Sequence, residues 1–257
     1  MKSTRQDFPG AHGHTLAARL DAPDGPIRAY ALFAHCFTCG KDVLAARRIA
    51  QGLAEHGIAV LRFDFTGIGA SEGEFADTNF SSNVDDLVAA AAFMRARHAA
   101  PQLLIGHSLG GSAVLAAAGQ IPEAAAVVTL AAPSTPVYVT RMFSRHLEQI
   151  AAEGEASVQL VGRPFRIRQQ FVDDAGTHSL KEQIAGLRRA LLVMHAPHDD
   201  TVSLSNAMEI FTAAKHPKSF VSLDDANHLL TGRDDALYVA NLIAAWSARY
   251  LQAVPAA

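Results

Sequence analysis

The segment at 106–110 has the residue types and spacing of a nucleophile held on a sharp turn. Its sequence, Gly-His-Ser-Leu-Gly, follows an apolar run at 103–105 and precedes an alanine-rich segment. Glycine two residues before and two residues after the serine lets a strand and a helix pass closer than a β-carbon would allow. We therefore predict that Ser108 is a nucleophile, which needs a base to deprotonate it and backbone amides to stabilise an oxyanion.

Two polar segments that follow later apolar runs can supply the base and its orienting acid. In open α/β folds with such a serine, the acid and then the histidine follow it along the chain. Asp199 and Asp200 come after the predicted strand at 190–195, and His228 comes after the predicted strand at 219–223. Because parallel strands end at the same edge of a sheet, we predict His228 as the base and one of these aspartates as its partner.

Apolar runs alternate with helical patterns along most of the chain, which predicts an α/β fold with a mainly parallel central sheet and helices on both faces. An antiparallel pair at 4–8 and 15–20 opens the chain. The predicted buried strands lie at 29–34, 59–63, 102–106, 125–130, 190–195 and 219–223. The predicted helices lie at 43–56, 83–98, 109–119, 203–215 and 234–251.

The segment at 134–187 breaks this alternation with scattered glycines, a proline and mixed charge. Long connections in compact domains are more often functional lids than plain loops, so we predict an inserted cap. An ordinary surface excursion is the alternative. We expect residues 1–257 to form a single domain around this insertion.

The composition argues against nucleic-acid and membrane partners. The chain is 49% hydrophobic and 18% charged, with a formal net charge of −3, so no basic surface is predicted. Residues 1–7 lack the apolar core of a signal peptide, and no stretch reaches the roughly 18 apolar residues of a membrane span. We expect a cytoplasmic protein, and the composition leaves its oligomeric state open.

The remaining polar and aromatic candidates indicate neither a metal nor a cofactor. The segment at 195–200 lacks the His-x-x-x-His spacing of a zinc helix, and the glycines at 67, 69 and 73 do not match a dinucleotide fingerprint. We expect no metal and no cofactor. His107, beside the nucleophile, is a candidate for the substrate pocket. Phe65, Phe143 and Phe165 are further candidates, with simple core packing as the alternative.

Two motifs resemble the α/β-hydrolase family. The pattern His195-x-x-x-Asp199-x-x-Val202 resembles the acid loop of that family, which implies Asp199 as the orienting acid. The segment at 34–38, Ala-His-Cys-Phe-Thr, resembles the His-Gly-Phe-Thr loop of α/β-hydrolase esterases. In those esterases the Phe amide donates to the oxyanion, which implies Phe37 as one donor. Leu109, the residue after the nucleophile, is the predicted second donor.

Three longer stretches, at 63–73, 162–167 and 213–220, look like the hydrolase half of bifunctional proteins in which an α/β hydrolase precedes an OsmC-like domain. The resemblance runs over nearly the whole chain. It implies an α/β-hydrolase fold, a serine carboxylesterase acting on small or medium acyl esters, and a functional link to an OsmC-like protein. A thioesterase, an amidase or a perhydrolase with the same three residues is the alternative, as is a catalytically silent partner of an OsmC-like protein.

Cys36 and Cys39 are the only cysteines and flank the predicted oxyanion donor Phe37. They are too close in sequence to join distant segments, which suits a reducing compartment. We expect both to be small apolar side chains beneath the loop. A redox-active pair that deforms the oxyanion hole on oxidation is the alternative.

Overall fold

The computed structural model describes residues 1–252. Its strands in chain order are β1 (Lys2–Arg5), β2 (Phe8–Pro9), β3 (Thr15–Leu16), β4 (Ala18–Ala22), β5 (Ala29–Ala34), β6 (Ile58–Phe63), β7 (Leu103–His107), β8 (Ala126–Leu130), β9 (Glu155–Leu160), β10 (Arg163–Arg168), β11 (Ala190–His195) and β12 (Lys218–Ser222). Eight of them form one sheet in the order β1-β4-β6-β5-β7-β8-β11-β12. From β6 to β12 neighbouring strands are parallel, whereas β1 and β4 pair antiparallel.

Helices cover both faces of this sheet. They are α1 (Leu44–Glu55), α2 (Phe80–Arg97), α3 (Leu109–Ala117), α4 (Leu147–Glu153), α5 (Gln169–Thr177), α6 (Leu180–Ala185), α7 (Leu204–Ala213) and α8 (Arg233–Ser247). Apolar residues of α1 and α8 pack on one face, and those of α2, α3 and α7 pack on the other. Every residue of β5, β6, β7, β8 and β11 is buried, as continuous apolar runs in a doubly covered sheet predict. The predicted fold class is confirmed.

Most predicted elements agree with the structure to within a few residues, and the largest differences lie at helix ends. The helix predicted at 83–98 begins earlier, at Phe80, because the Asn79 and Ser82 side chains form a capping box there. The helix predicted at 234–251 ends at Ser247. Gly57 follows α1 with a φ of +80°, the conformation that favours glycine after a helix. No helix among residues 1–252 combines the length and apolar character needed to cross a membrane.

The segment between β8 and β11 contributes no strand to the main sheet. It consists of a 3-10 segment (Pro136–His146), α4, the β9–β10 hairpin, α5 and α6. The hairpin was not among the predicted elements, although the sequence pattern for it is present. Alternate residues of β9 are buried, and Val161 and Gly162 both have positive φ at the turn, as two-residue hairpin turns require. This segment packs its apolar residues onto the α2 and α3 side of the sheet.

Candidate active site

Ser108 lies on a strained turn between β7 and α3. Its φ of +53° falls in the left-handed region, which a non-glycine residue adopts only when its surroundings impose it. A β-carbon on Gly106 would come within 3.0 Å of the Gly110 carbonyl oxygen, and one on Gly110 would come equally close to the Ala34 oxygen. The two glycines are therefore needed for close backbone approach, as the motif predicts.

The structure brings the three predicted side chains into one hydrogen-bonded chain. The Ser108 hydroxyl lies 3.1 Å from Nε2 of His228, and Nδ1 of His228 lies 2.8 Å from Oδ2 of Asp199. An ionised carboxylate only accepts hydrogen bonds, so Nδ1 carries the imidazole proton. Nε2 is then free to accept the Ser108 proton, which is the tautomer that a general base requires.

Asp199 is held in place by its own loop. Its Oδ1 accepts hydrogen bonds from the Thr201 amide at 2.9 Å and the Val202 amide at 2.8 Å, which leaves Oδ2 for His228. Burial alone would raise the pKa of Asp199, but hydrogen bonds from His228, Val202 and Thr201 outweigh burial and hold that pKa below its usual value. The carboxylate therefore stays ionised at neutral pH.

Asp200 does not take part in this chain. It is exposed, and its Oδ1 accepts a hydrogen bond from the Thr201 hydroxyl at 3.0 Å. Asp200 also lies outside the next helix, α7, whose first turn contains no acidic residue. The local geometry thus separates two adjacent carboxylates, of which only Asp199 contacts the histidine.

The predicted oxyanion donors, Phe37 and Leu109, line the same cavity, which has a volume of about 20 Å³. Leu109 begins α3, and Phe37 lies in the loop after β5. His35 ties that loop to its neighbour, because its Nδ1–H donates to the Cys36 oxygen at 2.8 Å and its Nε2 accepts from the Phe65 amide at 3.3 Å. Two backbone amides of this kind can bind an anionic oxygen.

Cys36 and Cys39 form a disulfide, which differs from the expected pair of free thiols. The loop makes a turn in which the Cys39 amide donates to the Cys36 oxygen at 3.1 Å. That turn brings the two Cα atoms to 5.3 Å, within the range that a disulfide spans. The disulfide therefore closes the short loop that carries Phe37 and does not staple distant segments. The redox-active alternative stays a hypothesis.

A buried ion pair that the sequence analysis missed supports the same loop. Asp64 Oδ2 lies 2.7 Å from Lys41 Nζ, and Asp64 Oδ1 accepts from the Lys41 amide at 2.6 Å. Asp64 Oδ2 also accepts from the Ala70 amide at 3.0 Å, so one carboxylate joins two loops. Nearby, the buried Arg62 donates to Asp21 at 2.6 Å. Asp64 belongs to the stretch at 63–73 that carries the family resemblance, which was the available signal.

The four predicted pocket residues have different surroundings. Phe65 lines the cavity shared by the two predicted oxyanion donors. Phe143 is buried against Phe37, with ring centroids 6.4 Å apart, and Phe165 lies against Phe75 at 4.9 Å. His107 is buried, and its Nε2 lies 2.7 Å from the carbonyl oxygen of His228. Of the four, Phe65 alone is among the residues that line that cavity.

No cluster of three or more His, Cys, Asp or Glu side chains in the described part of the chain has a geometry that could hold a metal ion. His195 and Asp199 of the 195–200 segment are engaged otherwise. His195 Nε2 lies 2.7 Å from the Val202 carbonyl oxygen, and Asp199 contacts His228.

The sheet order, the turn at Ser108 and the strand-end position of the three side chains define an α/β hydrolase. The chain belongs to the family described as serine aminopeptidase, S33, which it matches over residues 26–164. It is 48% identical to the esterase domain of a Rhodothermus marinus protein, over 97% of this chain and 99% of that one, with a TM-score of 0.79. The α/β-hydrolase prediction is confirmed.

More distant relatives share the fold. The chain is 25% identical to the rat protein named palmitoyl-protein thioesterase ABHD10, mitochondrial, over 66% of this chain and 58% of the relative. It thus matches little more than half the length of that protein. The solved structure of mouse alpha/beta hydrolase domain-containing protein 10 is 20% identical, with a TM-score of 0.79 over 96% of this chain and 99% of that one. These comparisons do not test the predicted link to an OsmC-like protein, which stays a prediction.

Proposed function

We propose that this protein is a serine hydrolase that cleaves small or medium carboxylic esters through an acyl-enzyme on Ser108. The proposal depends above all on the hydrogen-bonded chain from Ser108 through His228 to Asp199, with separations of 3.1 Å and 2.8 Å. A serine, an imidazole and a carboxylate in this order are the minimum machinery for acyl transfer. The similarity to an esterase domain at 48% identity supports the same class of reaction.

The first half of the reaction forms the acyl-enzyme. The His228 imidazole takes the Ser108 proton as the oxygen attacks the ester carbonyl carbon, and Asp199 stabilises the resulting imidazolium. The carbonyl oxygen becomes an oxyanion that the Phe37 and Leu109 amides bind. When the carbon–oxygen bond to the alcohol breaks, His228 gives its proton to the leaving oxygen.

The second half releases the acid. Water takes the place of the alcohol, and His228 removes one of its protons while the water oxygen attacks the acyl carbon. The tetrahedral intermediate collapses, the bond to Ser108 breaks, and His228 returns the proton to the serine oxygen. Substrate and one water thus give one alcohol and one acid, and the enzyme returns to its starting state. No cofactor takes part in these steps.

The covering of the site favours small or medium acyl groups. Ser108 is 8% exposed and His228 is 7% exposed. Above the Phe37 loop, Phe75, Phe143 and Phe171 pack within 6.4 Å of the Phe37 ring, measured between centroids. We expect the acyl chain to enter on this side of the site, where a long chain would have to displace the aromatic cluster and a short one would not.

A thioesterase is the second candidate because relatives of 25% identity are named palmitoyl-protein thioesterases. The same residues can attack a thioester carbonyl, and a thiolate leaves more readily than an alkoxide. A series of p-nitrophenyl esters from acetate to palmitate, measured beside the matching acyl thioesters and an aminoacyl anilide, separates the candidates. We expect the highest kcat/KM with short or medium esters, and a preference for palmitoyl thioester would favour the second candidate.

Ser108→Ala is the direct test of the proposed nucleophile. We expect kcat to fall by about 10⁶-fold, since removing the nucleophile of a triad abolishes the acyl-enzyme route. Ser112→Ala is a matched control, because that buried hydroxyl donates to the Pro133 oxygen and does not contact His228. Turnover of the Ser108→Ala variant within about tenfold of the unchanged protein would reject the proposed function.

A further inference from the structure

His107, the last residue of β7, is a buried histidine with a single hydrogen-bond partner. It is 1% exposed, and its Nε2 lies 2.7 Å from the backbone carbonyl oxygen of His228. A carbonyl oxygen only accepts, so Nε2 carries the proton and donates. Nδ1 is buried and has no partner among residues 1–252. The ring is thus committed to one contact, with the residue proposed as the general base.

That contact joins two segments that the sheet keeps apart. His107 ends β7, whereas His228 follows β12, and β8 and β11 lie between these two strands. The loop after β12 is shaped by local bonds, from the Ala226 amide to the Leu223 oxygen and from the Leu230 amide to the Asn227 oxygen. A further bond, from the Leu223 amide to the His195 oxygen at 2.9 Å, ties the start of the loop to β11, and the His107 contact ties His228 itself to β7.

The surroundings keep His107 uncharged. Burial is the main cause that lowers its pKa to about 4, and repulsion from His228 adds to it. Asp199 opposes this shift without reversing it. At neutral pH the ring is therefore uncharged, with its one proton at Nε2. It does not touch the reacting atoms of the proposed mechanism.

We propose that His107 is a positioning residue that fastens the backbone of His228 to the strand carrying Ser108, and so sets the distance between base and nucleophile. The proposal rests on the function proposed above. A backbone anchor leaves the imidazole of His228 free to exchange protons while its Cα stays fixed. Loss of the anchor lets the loop drift, which lowers the fraction of molecules with Nε2 and the Ser108 hydroxyl in contact.

His195 shows the same arrangement two strands away, at the end of β11. Its Nε2 donates to the Val202 carbonyl oxygen at 2.7 Å, and its Nδ1 is buried without a partner in the described residues. Val202 belongs to the loop whose amides hold Asp199. Two neutral histidines at strand ends thus each bind the backbone of a loop that carries one proposed catalytic side chain.

The test compares two polar replacements that differ in reach. In His107→Gln the side-chain amide nitrogen takes the place of Nε2 and can still donate to the His228 oxygen. In His107→Asn the amide is one methylene shorter and does not reach it. His107→Leu removes the donor altogether. His98→Gln is the control, because His98 packs on Tyr30, at the opposite end of β5 from the Phe37 loop. Each variant is assayed for kcat and KM, for its rate of labelling by a fluorophosphonate, and for unfolding by denaturant.

We expect His107→Asn and His107→Leu to lower kcat and the labelling rate by about 100-fold, with KM changed less than about threefold, because misplacement by about 1 Å has effects of this size. His107→Gln should retain at least about ten times the kcat of His107→Asn. Should His107→Leu fail to fold, the Gln and Asn pair decides the question.

The proposal is overturned if the folded His107→Leu variant keeps the kcat of the unchanged protein, or if the Gln and Asn variants lose kcat equally. A rise in KM with constant kcat would also overturn it, since that result would indicate a binding role. Ser108→Ala, measured in parallel, separates a failure of the positioning role from a failure of the proposed function. Its inactivity beside a fully active His107→Leu variant would reject the positioning role alone, whereas its activity would reject the proposed function.

Discussion

Asp199→Asn perturbs the proposed mechanism at one hydrogen bond and leaves the surrounding contacts in place. Oδ1 of Asp199 accepts from two backbone amides, and a carboxamide can satisfy both of them only with its oxygen. The new NH₂ group must then occupy the position of Oδ2, which faces Nδ1 of His228. Because that group only donates, Nδ1 must give up its proton and Nε2 must carry it. A protonated Nε2 cannot accept the Ser108 proton.

The magnitude follows from the tautomer. An Asp→Asn exchange of this kind in serine proteases lowers kcat by about 10⁴-fold, or about 5.5 kcal/mol of transition-state stabilisation. We expect a loss of similar size here, with KM nearly unchanged because the Asp199 side chain is fully buried and has no surface to offer a substrate. Steady-state hydrolysis of a p-nitrophenyl ester, with the free energy of unfolding measured beside it, provides the assay.

Asp200→Asn is the matched control for this prediction. Asp200 is exposed and accepts one hydrogen bond from a neighbouring hydroxyl, so we expect its kcat to stay within about twofold of the unchanged protein. The reasoning is refuted if Asp199→Asn loses less than about tenfold in kcat, or if Asp200→Asn loses more than Asp199→Asn. Either result would mean that another group orients His228.

Two further predictions concern stability. Gly110→Ala should lower the free energy of unfolding by about 3 kcal/mol, because the added β-carbon would overlap the Ala34 carbonyl oxygen. Gly119→Ala is the control and should not lower it, because the space around Gly119 is open. Equal free energies of unfolding for the two variants in denaturant titrations would contradict the close approach at Gly110. His107 should make the protein acid-sensitive. Its pKa is about 4 when folded and near 6.5 when unfolded, so the unfolded chain binds more protons between these pH values. The free energy of unfolding that neutral His107 contributes is complete above pH 6.5 and should fall by about 3 kcal/mol towards pH 4. If the free energy of unfolding of a His107→Gln variant declines equally steeply over this range, His107 is not the cause of the acid sensitivity.

The residues of the proposed reaction could be predicted because each lies in the turn or loop that follows a strand. Ser108 follows β7, Asp199 follows β11 and His228 follows β12, and the apolar strands are visible as continuous runs. Parallel pairing then places their ends at one edge of the sheet. The motifs indicated which residues take part, and the parallel sheet indicated that these residues lie close together. The choice of Asp199 needed the family resemblance, because spacing alone does not distinguish adjacent carboxylates.

The supporting contacts could not be predicted in the same way. The bond from His107 to the His228 carbonyl joins residues 121 positions apart, and the Lys41–Asp64 ion pair joins residues 23 apart. Such pairs depend on side-chain directions and on burial, which single-residue propensities do not determine. The β9–β10 hairpin is different, since its alternating burial and its Val-Gly turn follow from local pattern.

Mapping of a fluorophosphonate adduct by peptide mass spectrometry tests the central claim most directly. The reagent bonds rapidly to a serine whose proton a neighbouring base removes as its oxygen attacks the phosphorus atom. The account predicts one adduct on the peptide that contains Ser108, none in the Ser108→Ala variant, and labelling slowed by about 10⁴-fold in the folded Asp199→Asn variant. A folded protein that does not react, or an adduct on another serine, would contradict it.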